Sequence, residues 1–300
     1  MILLVGADGQ LGRELSASLG ILGPLSRWTL ANMDLADPDL EGKLARVGLP
    51  GLRAVVNAAA YTNVDRAESE EDMAWRVNAE APRLLASLAE RHGAAIVHYS
   101  TDYVYDGKKA GPYVEGDPAA PLNAYGRTKL AGDRLVAAAC PRHLIFRTSW
   151  VFSQTGACFP RTVYNLARTR ESLEMDCTQR GAPTSTELIA AATLVALRGI
   201  LAGGAGAWGL YHLVSAGEAT WLEFSRYIVS RASELGLELK LKPGAITPRD
   251  VPDASRPAAR PLNSVLSTRK VEEAFGLSLP SWTYYAERFA EGLWYQADLR

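Results

Sequence analysis

The chain begins with a short apolar segment that leads directly into a glycine-rich turn, and this order restricts the fold more than any other feature. Residues 2–5 read Ile-Leu-Leu-Val, which is typical of a buried parallel strand. Gly6, Gly9 and Gly12 follow, and a helix is predicted over residues 10–22. The glycines would allow a tight turn, a close approach of backbone to a pyrophosphate, and close packing of the helix on a sheet. A glycine-rich turn can serve structure alone, but this position favours a dinucleotide site.

Predicted strands and helices alternate through the first half of the chain. Further strands are expected at residues 25–30, 54–57, 95–99 and 143–147. Helices are expected over residues 71–91 and from Tyr125 onwards. This alternation predicts an α/β fold, with a Rossmann-type doubly wound parallel sheet. Ligands of such sheets bind beyond the carboxyl ends of the strands, where the sequence places Gly6, Ala58, Thr101 and Trp150.

The pattern becomes mixed after residue 152. We therefore predict a dinucleotide-binding domain of residues 1–152 and a smaller mixed α/β substrate lobe of residues 153–300. The chain should return to the sheet near residues 209–214, and residues 242–261, rich in Pro and Ala, should form an ordered loop over the substrate. Helices are predicted in this half at residues 160–170, 186–201, 221–235, 262–275 and 282–294.

Tyr125 and Lys129 lie four residues apart at the start of a predicted helix, so their side chains share one face. A tyrosine with a pKa of about 10 needs a nearby cation to exchange protons easily at neutral pH. The pair also occurs by chance on helix surfaces. Thr101 follows the fourth predicted strand, and its hydroxyl and the Tyr125 phenol would converge on one bound carbonyl. This convergence favours a catalytic site.

Composition excludes several other classes of protein. The 300 residues carry a net charge of -1, which offers no basic surface for nucleic acid. No apolar stretch approaches the roughly 20 residues needed to span a bilayer, and the initial apolar segment is too short for a signal peptide. Cys140, Cys158 and Cys177 show neither metal spacing nor a disulfide framework, so a cytoplasmic location is expected. The four histidines are equally scattered, so they predict no metal site. They are His92, His98, His143 and His212.

Eight segments of the chain, in order along nearly its whole length, are similar to those of one family. They comprise residues 6–12, 57–65, 100–107, 121–129, 147–152, 181–184, 209–213 and 255–257. On these segments the chain resembles the dTDP-4-dehydrorhamnose reductases of the extended short-chain dehydrogenase/reductase superfamily. It departs at Tyr61, where that family commonly has His.

The resemblance implies reduction of the C4 keto group of dTDP-4-dehydro-β-L-rhamnose to dTDP-L-rhamnose, a donor for cell-surface polysaccharide. Tyr125 would give its proton to the carbonyl oxygen, and Lys129 would lower the pKa of Tyr125 and hold the nicotinamide ribose. Thr101 would bind the carbonyl oxygen, and Asp102 would accept a hydrogen bond from a sugar hydroxyl.

The resemblance also implies a larger set of residues around the cofactor. These are Gly6, Gly9, Gln10, Leu11, Gly12, Arg27, Asp34, Leu35, Ala58, Ala60, Tyr61, Thr62, Tyr99, Tyr125 and Lys129. The second predicted strand has no acid to bind a ribose 2'-hydroxyl, and Arg27 would suit a 2'-phosphate. We therefore expect NADPH, with NADH as the alternative.

Two further residues are candidates for the substrate, each with a structural alternative. Trp150 follows the fifth strand and would contact the sugar or the base, or else be a core aromatic between the two lobes. Arg256 would pair with a nucleotide phosphate or a carboxylate, or else be a solvated loop residue.

Other functions within the same superfamily remain alternatives. Nucleotide-sugar 4,6-dehydratases have adjacent Asp and Glu where this chain has Asp102 and Tyr103, and GDP-fucose epimerase-reductases need an additional Cys and His. A 4-epimerase would hold NAD tightly. A non-catalytic subunit similar to the β subunit of methionine adenosyltransferase would lack turnover altogether.

The expected partner is a dTDP-keto-sugar, with no nucleic acid and no membrane. A homodimer is also compatible with the resemblance, since some relatives are described as metal-linked dimers. Glu14 and Glu187 fall where acidic ligands would lie, but two carboxylates are as well explained as solvated surface.

Overall fold

The computed structural model describes residues 1–203, 207–250 and 255–298. Its centre is a sheet of six parallel strands, formed in spatial order by residues 209–212, 143–148, 95–101, 54–57, 2–5 and 25–28. The strands, in chain order, are β1 (Ile2–Val5), β2 (Leu25–Trp28), β3 (Ala54–Asn57), β4 (Ala95–Thr101), β5 (His143–Thr148), β6 (Val151–Phe152), β7 (Leu173–Asp176), β8 (Arg180–Gly181), β9 (Thr184–Ser185), β10 (Gly209–His212), β11 (Ala219–Thr220) and β12 (Ile246–Arg249).

Helices cover both faces of this sheet. They are α1 (Gln10–Ser18), α2 (Leu40–Arg46), α3 (Val64–Ala67), α4 (Glu71–Trp75), α5 (Ala81–Arg91), α6 (Ala124–Ala139), α7 (Phe159–Ala167), α8 (Thr186–Leu201), α9 (Trp221–Glu234), α10 (Arg269–Phe275) and α11 (Trp282–Asp298). A π-helical segment, Arg76–Glu80, joins α4 to α5. Among the described residues, no helix has the length and apolar character needed to cross a membrane.

Alternate residues of β1 supply the two halves of the core. Ile2 and Leu4 join the cluster against α1, α8 and α11, whereas Leu3 and Val5 join the cluster against α2 and α5. All four are at most 1% exposed. Because a fully buried aliphatic side chain contributes about 1.5–3 kcal/mol, a strand that is apolar on both faces is stable only in the middle of such a layered fold.

The strand order places a ligand crevice at the carboxyl ends of β1 and β3. From β1 the chain moves to β2 on one side, and then returns to β3 on the other side of β1. The connections diverge at this point and leave a crevice between them. The parallel α/β fold predicted from the sequence is thus confirmed.

The second half of the chain contributes one strand to the central sheet and three small pairs beside it. Gly209–His212 pairs in parallel with β5, so the chain returns to the sheet where the sequence predicted. Outside the sheet, β6 pairs with β9, β7 with β12, and β8 with β11. The division into residues 1–152 and 153–300 remains a prediction.

One predicted loop and one predicted helix differ from the structure. Within residues 242–261, Ile246–Arg249 forms β12 against β7, and residues 251–254 lie outside the described residues. The helix predicted over residues 262–275 is limited to Arg269–Phe275. Residues 262–268 are held extended because their backbone groups bond to other segments: Tyr113 N donates to Val265 O at 2.8 Å, and Ser264 N to Arg180 O at 2.7 Å.

One strand and one helix also end earlier than predicted. The second strand ends at Trp28 instead of residue 30, because Thr29 and Asn32 close a turn there. The first helix ends at Ser18 and continues as a 3-10 turn, Leu19–Leu22. Helix ends commonly tighten in this way when the last carbonyls lack partners.

Candidate active site

One cavity of about 630 Å³ opens at the carboxyl edge of the sheet. Its walls come from the glycine-rich turn, the loops after β2 and β3, the end of β4, the start of α6, and the segment after β5. The candidate catalytic and cofactor-binding residues therefore lie on five connections, those after β1, β2, β3, β4 and β5, which are far apart in the sequence. This is the position expected for ligands of a doubly wound sheet.

The glycine-rich turn is packed too tightly for any other residue at two of its positions. Gly6 has φ +77°, and a Cβ there would lie 2.6 Å from Ala59 N. A Cβ on Gly12 would lie 1.9 Å from Gly6 O. The N-terminus of α1 begins after Gly9 with no side-chain cap and no acid in its first turn. Its first backbone amides are thus available to an anionic group such as a pyrophosphate.

The loop after β3 is fixed by Asn78, which the π-helical segment carries. Asn78 Oδ1 accepts from Tyr61 N at 2.9 Å, and Asn78 Nδ2 donates to Tyr61 O at 3.0 Å and to Thr128 Oγ1 at 3.2 Å. Thr128 lies on α6, so one buried amide joins the cofactor loop to the helix that bears Tyr125. Single π turns are often found at functional sites, and this one places Asn78 where both elements can reach it.

The Tyr61 side chain itself points away from the cavity. Its hydroxyl donates to Glu70 Oε2 at 2.6 Å, and that hydrogen bond raises the pKa of Tyr61. Only its backbone is tied to the loop, through Asn78. The departure from His at this position therefore does not alter the lining of the cavity.

Thr101, Asp102 and Tyr125 converge at the end of β4, as the sequence predicted. Thr101 Oγ1 donates to Asp102 Oδ1 at 3.0 Å and accepts from Tyr103 N at 3.2 Å. Asn123 caps α6 by accepting from Gly126 N at 2.8 Å, which fixes the first turn carrying Tyr125. All three converging side chains line the cavity.

Electrostatics keep Tyr125 protonated in this structure. Loss of solvent raises the pKa of Tyr125 above its usual value, and the Asp102 carboxylate adds to that effect, whereas the Thr101 hydroxyl opposes it. Burial likewise raises the pKa of Asp102 to about 6, against the neighbouring Ser264 and Thr101 hydroxyls. Tyr125 therefore holds the proton that a general acid must deliver, but its raised pKa makes that proton harder to give up in the absence of ligands.

Lys129 lines the same cavity but is not bonded to Tyr125. It is 1% exposed, and its Nζ donates to Tyr99 O at 2.6 Å and lies 3.4 Å from His98 Nε2. Burial lowers the pKa of Lys129 to about 8, and the Asp133 carboxylate opposes that shift. The role of Lys129 in lowering the pKa of Tyr125 stays a prediction.

An aromatic pair forms the opposite wall of the cavity. The rings of Trp150 and Trp221 stack with centroids 3.5 Å apart and an interplanar angle of 7°. Trp150 has φ +46°, the only non-glycine residue with positive φ in the described chain. Gly181 lies so close that a Cβ there would be 2.7 Å from Trp150 Cε2. Trp150 thus lines the cavity and also bridges to α9, and its contact with a sugar or base stays a prediction.

The structure brings most of the predicted residues together and leaves four outside the cavity wall. The predicted residues that line the cavity are Gly6, Gly9, Gln10, Leu11, Asp34, Leu35, Ala58, Ala60, Thr62, Tyr99, Thr101, Asp102, Tyr125, Lys129 and Trp150. Those that do not are Gly12, Arg27, Tyr61 and Arg256. Gly12 supports the turn from behind, as described above.

Arg27 and Arg256, which also lie outside the cavity wall, are both exposed, whereas Gly12 is buried. Arg27 lies on β2, and the cavity next to that strand is lined by Thr29, Leu30 and Met33 instead. The charge of Arg256 acts on Asp65 and Tyr103. A role for either arginine in binding phosphate is thus not supported by its position here.

Sequence reasoning missed three kinds of residue at this site. Trp221 lies far along the chain, and nothing local in its sequence marks it. Arg260 binds Asp65 through two hydrogen bonds, of 2.7 and 2.8 Å, and closes the segment after residue 255 onto α3. His98 did give a signal, because a polar residue in the middle of an apolar strand must find a buried partner.

Comparison with known proteins identifies the family. The family model described as RmlD substrate binding domain matches residues 1–294. A dTDP-4-dehydrorhamnose reductase of Burkholderia thailandensis is 43% identical over 286 residues, which cover 94% of this chain and 95% of the relative. The chain belongs to the dTDP-4-dehydrorhamnose reductase family. The resemblance found in the eight sequence segments is confirmed.

Solved structures of this family share the fold over nearly their whole length. A dTDP-4-dehydrorhamnose reductase of Clostridium acetobutylicum has a TM-score of 0.86 and 33% identity, and covers 97% of this chain and 99% of its own. A dTDP-4-dehydrorhamnose reductase of Bacillus anthracis, solved in complex with NADP, has a TM-score of 0.84 and 30% identity, with 96% and 97% covered. The family match thus includes both the glycine-rich turn and the lobe that carries Trp221.

Proposed function

We propose that this chain is an NADPH-dependent reductase of the C4 keto group of dTDP-4-dehydro-β-L-rhamnose, forming dTDP-L-rhamnose. The observation that carries the proposal is the convergence of Thr101, a protonated Tyr125 and Lys129 in one cavity with the glycine-rich turn. Relatives named for this activity cover essentially the whole chain. The non-catalytic alternative has no observation in its favour.

The residues of the cavity fit a dinucleotide. The first amides of α1 face the cavity without a side-chain cap, and Gly6 and Gly9 add no side chains of their own to the turn. No acid follows β2 directly, since Thr29 and Leu30 stand there, and the exposed carboxylate of Asp34 accepts from Ala36 N at 2.8 Å. This arrangement favours NADPH, and the NADP complex of the Bacillus anthracis relative supports the same choice.

The chemistry required of the protein is the placement of one carbonyl and the delivery of one proton. NADPH, when bound, supplies the hydride that reaches C4. The Thr101 hydroxyl would bind the O4 atom and orient it, and Tyr125 would transfer its phenolic proton to that oxygen as negative charge develops. Lys129 would hold the nicotinamide ribose.

The sugar and its nucleotide would occupy the side of the cavity formed by Asp102, Trp150 and Trp221. Asp102, ionised above about pH 6, would accept a hydrogen bond from a sugar hydroxyl. Because Asp102 is followed by Tyr103, the second carboxylate used by 4,6-dehydratases is missing, and Tyr103 instead packs edge-on against Tyr125 with centroids 5.9 Å apart. Reduction without elimination is the chemistry that this set supports.

A coupled assay tests the proposal. The keto sugar is generated enzymatically from dTDP-glucose, the protein is added with NADPH or NADH, and the loss of nicotinamide absorbance is followed together with the sugar product. We expect oxidation of NADPH, with NADH slower, and formation of dTDP-L-rhamnose. Folded protein that oxidises neither cofactor would contradict the proposal, and tightly retained NAD without turnover would favour an epimerase.

The proposal extends to compartment and assembly. The three cysteines, Cys140, Cys158 and Cys177, are all free thiols, which supports a reducing compartment such as the cytoplasm.

A homodimer is also proposed, and light scattering after size-exclusion chromatography tests it. Glu14 lies near Glu187, whose charge adds to the effect of burial in raising the pKa of Glu14. Within the described residues there is no group of three or more potential metal ligands, so no metal is included.

A further inference from the structure

Three buried side chains form a hydrogen-bonded row behind the cavity. Asn57 ends β3, His98 lies in the middle of β4, and Lys129 lies on α6. All three are at most 1% exposed. Asn57 Nδ2 is 3.2 Å from His98 Nδ1, and His98 Nε2 is 3.4 Å from Lys129 Nζ. The row thus begins at the loop after β3 and ends at Lys129.

The direction of each hydrogen bond in this row is determined by its first member. Ala59 N donates to Asn57 Oδ1 at 3.2 Å, and a backbone N–H can only donate. The amide nitrogen of Asn57 therefore faces His98, and because an amide NH₂ also only donates, His98 Nδ1 must accept. A neutral imidazole that accepts at Nδ1 carries its hydrogen on Nε2. That hydrogen points towards Lys129.

A protonated lysine does not fit opposite this hydrogen. An ammonium group has three donors and no acceptor, so it would meet the Nε2–H of His98 donor to donor. A neutral amine has a lone pair for that hydrogen and still has hydrogens to donate to Tyr99 O, 2.6 Å away. The observed arrangement is therefore that of an uncharged Lys129. Burial is the main reason that the pKa of Lys129 falls to about 8 and that of His98 falls well below its usual value.

The charged groups around Lys129 do not change this assignment. Asp133, one turn further along α6, favours the ammonium form, but Arg147 on β5 donates to its carboxylate at 3.1 Å. Both members of this ion pair are nearly fully buried. From β4, only the neutral His98 ring and the Tyr99 carbonyl contact Lys129 Nζ. On its own helix the Tyr125 phenol is protonated.

Protonation of Lys129 would rearrange the whole row. For the ammonium to stay in contact, His98 must accept at Nε2 and carry its hydrogen on Nδ1. Asn57 must then turn its oxygen towards His98, and Ala59 N–H loses its acceptor. Ala59 lines the cavity beside Gly6, so the loop that loses this hydrogen bond belongs to the wall where the dinucleotide would bind.

We propose that His98 is a positioning residue that, through Asn57, couples protonation of Lys129 to the cofactor-binding loop at residues 58–60. A dinucleotide carries negative charge on its phosphates and therefore gains from a charge on Lys129. Binding of NADPH should therefore draw a proton from the buffer onto Lys129. The inference rests on the proposed function, because it takes NADPH as the ligand.

Calorimetry measures this proton directly. NADPH is titrated into the full-length protein at about pH 8.5, where most of Lys129 would be uncharged, in two buffers of different ionisation enthalpy. The wild type should take up at most about three-quarters of a proton per site, because a group with a pKa of about 8 is already about one-quarter protonated at pH 8.5. Lys129→Met should abolish the uptake. His98→Asn should greatly reduce it, because asparagine keeps an acceptor for Asn57 but has no group that reaches Lys129.

Controls separate this role from a merely structural one. His92→Asn changes an exposed histidine at the end of α5 and should leave the uptake unchanged. Binding of NADPH without proton uptake by the wild type, or full uptake by folded His98→Asn, would overturn the inference while leaving the proposed function intact. Failure of the wild type to bind NADPH would contradict both.

A second measurement does not depend on a buried variant folding. Nitrogen-15 NMR of the free wild-type protein, at about pH 8.5 where most of Lys129 would be uncharged, reports the tautomer of each imidazole. The His98 ring should carry its hydrogen on Nε2 without NADPH and shift towards Nδ1–H when NADPH is added. A ring that carries its hydrogen on Nδ1 in the free protein would overturn the inference.

Discussion

The two walls of the cavity are built in different ways. The catalytic wall, formed by Thr101, Tyr125 and Lys129, is held by hydrogen bonds that involve β4, α6 and the π-helical segment. The aromatic wall, formed by Trp150 and Trp221, is held by ring stacking and by close packing on Gly181. Directed hydrogen bonds fix atoms to within tenths of an ångström, whereas stacking fixes a surface.

This difference indicates a division of labour between the two walls. Proton transfer depends on the position of individual atoms, so the catalytic wall should determine the rate of the chemical step. Recognition of a sugar or base depends on a complementary surface, so the aromatic wall should determine affinity. Substitutions on the catalytic wall should therefore lower kcat, and substitutions on the aromatic wall should raise KM.

Tyr125→Phe should have the largest effect, because it removes the proposed proton donor and keeps the ring. We expect kcat to fall by about 10²- to 10⁴-fold, the usual contribution of a general acid. Steady-state kinetics with the keto sugar measures this, and calorimetry should show NADPH affinity largely unchanged. Near-normal turnover would mean that another group supplies the proton.

Trp221→Ala should act on KM instead. Loss of one stacked partner is worth about 0.5–1.5 kcal/mol, which corresponds to about a two- to tenfold weaker binding of the nucleotide sugar. The kcat at saturating substrate should change little, because no hydrogen bond of the catalytic wall involves Trp221. An unchanged KM together with a large loss of kcat would show that the two walls are not separable.

The catalytic wall was predictable from sequence, and the aromatic wall only in part. Tyr125 and Lys129 share a helical turn, and Thr101 follows a recognisable strand, so local spacing and sheet topology together locate all three. Trp221 begins α9, after a capping box formed by Thr220 and Glu223 that marks the helix but not its partner. Its contact with Trp150 spans 71 residues of sequence and depends on how the second half packs.

The same reasoning explains where the predicted fold was wrong. Residues 262–268 carry a helical pattern, yet their backbone groups pair with Tyr113 and Arg180, far away in sequence. There, tertiary contacts outweighed a local pattern. Arg27 is exposed on β2 and does not line the cavity, and its role at the cofactor stays a prediction.

A pH series tests Asp102, which is bonded to Thr101 of the catalytic wall but is proposed to bind the sugar. Its pKa is raised to about 6, so the carboxylate is charged above that pH and gains a proton below it. We expect KM for the keto sugar to rise several-fold between about pH 7 and pH 5, as the stronger acceptor is lost. In Asp102→Asn, KM should be higher at pH 7 and independent of pH over this range. A wild-type KM that stays flat would exclude the contact.

Gly181→Ala should have the smallest effect, because it disturbs the aromatic wall without removing either ring. The new Cβ would lie 2.7 Å from Trp150 Cε2, and since an indole ring is rigid, the whole side chain must shift. We expect about a twofold to threefold rise in KM, less than for Trp221→Ala because the stacked surface survives in a displaced position. Gly199→Ala is the matched control, since that glycine lies on α8 with no atom within 4 Å of an added Cβ. If Gly181→Ala lowers kcat and leaves KM unchanged, the position of Trp150 must be transmitted to Tyr125, and the aromatic wall then takes part in the chemical step.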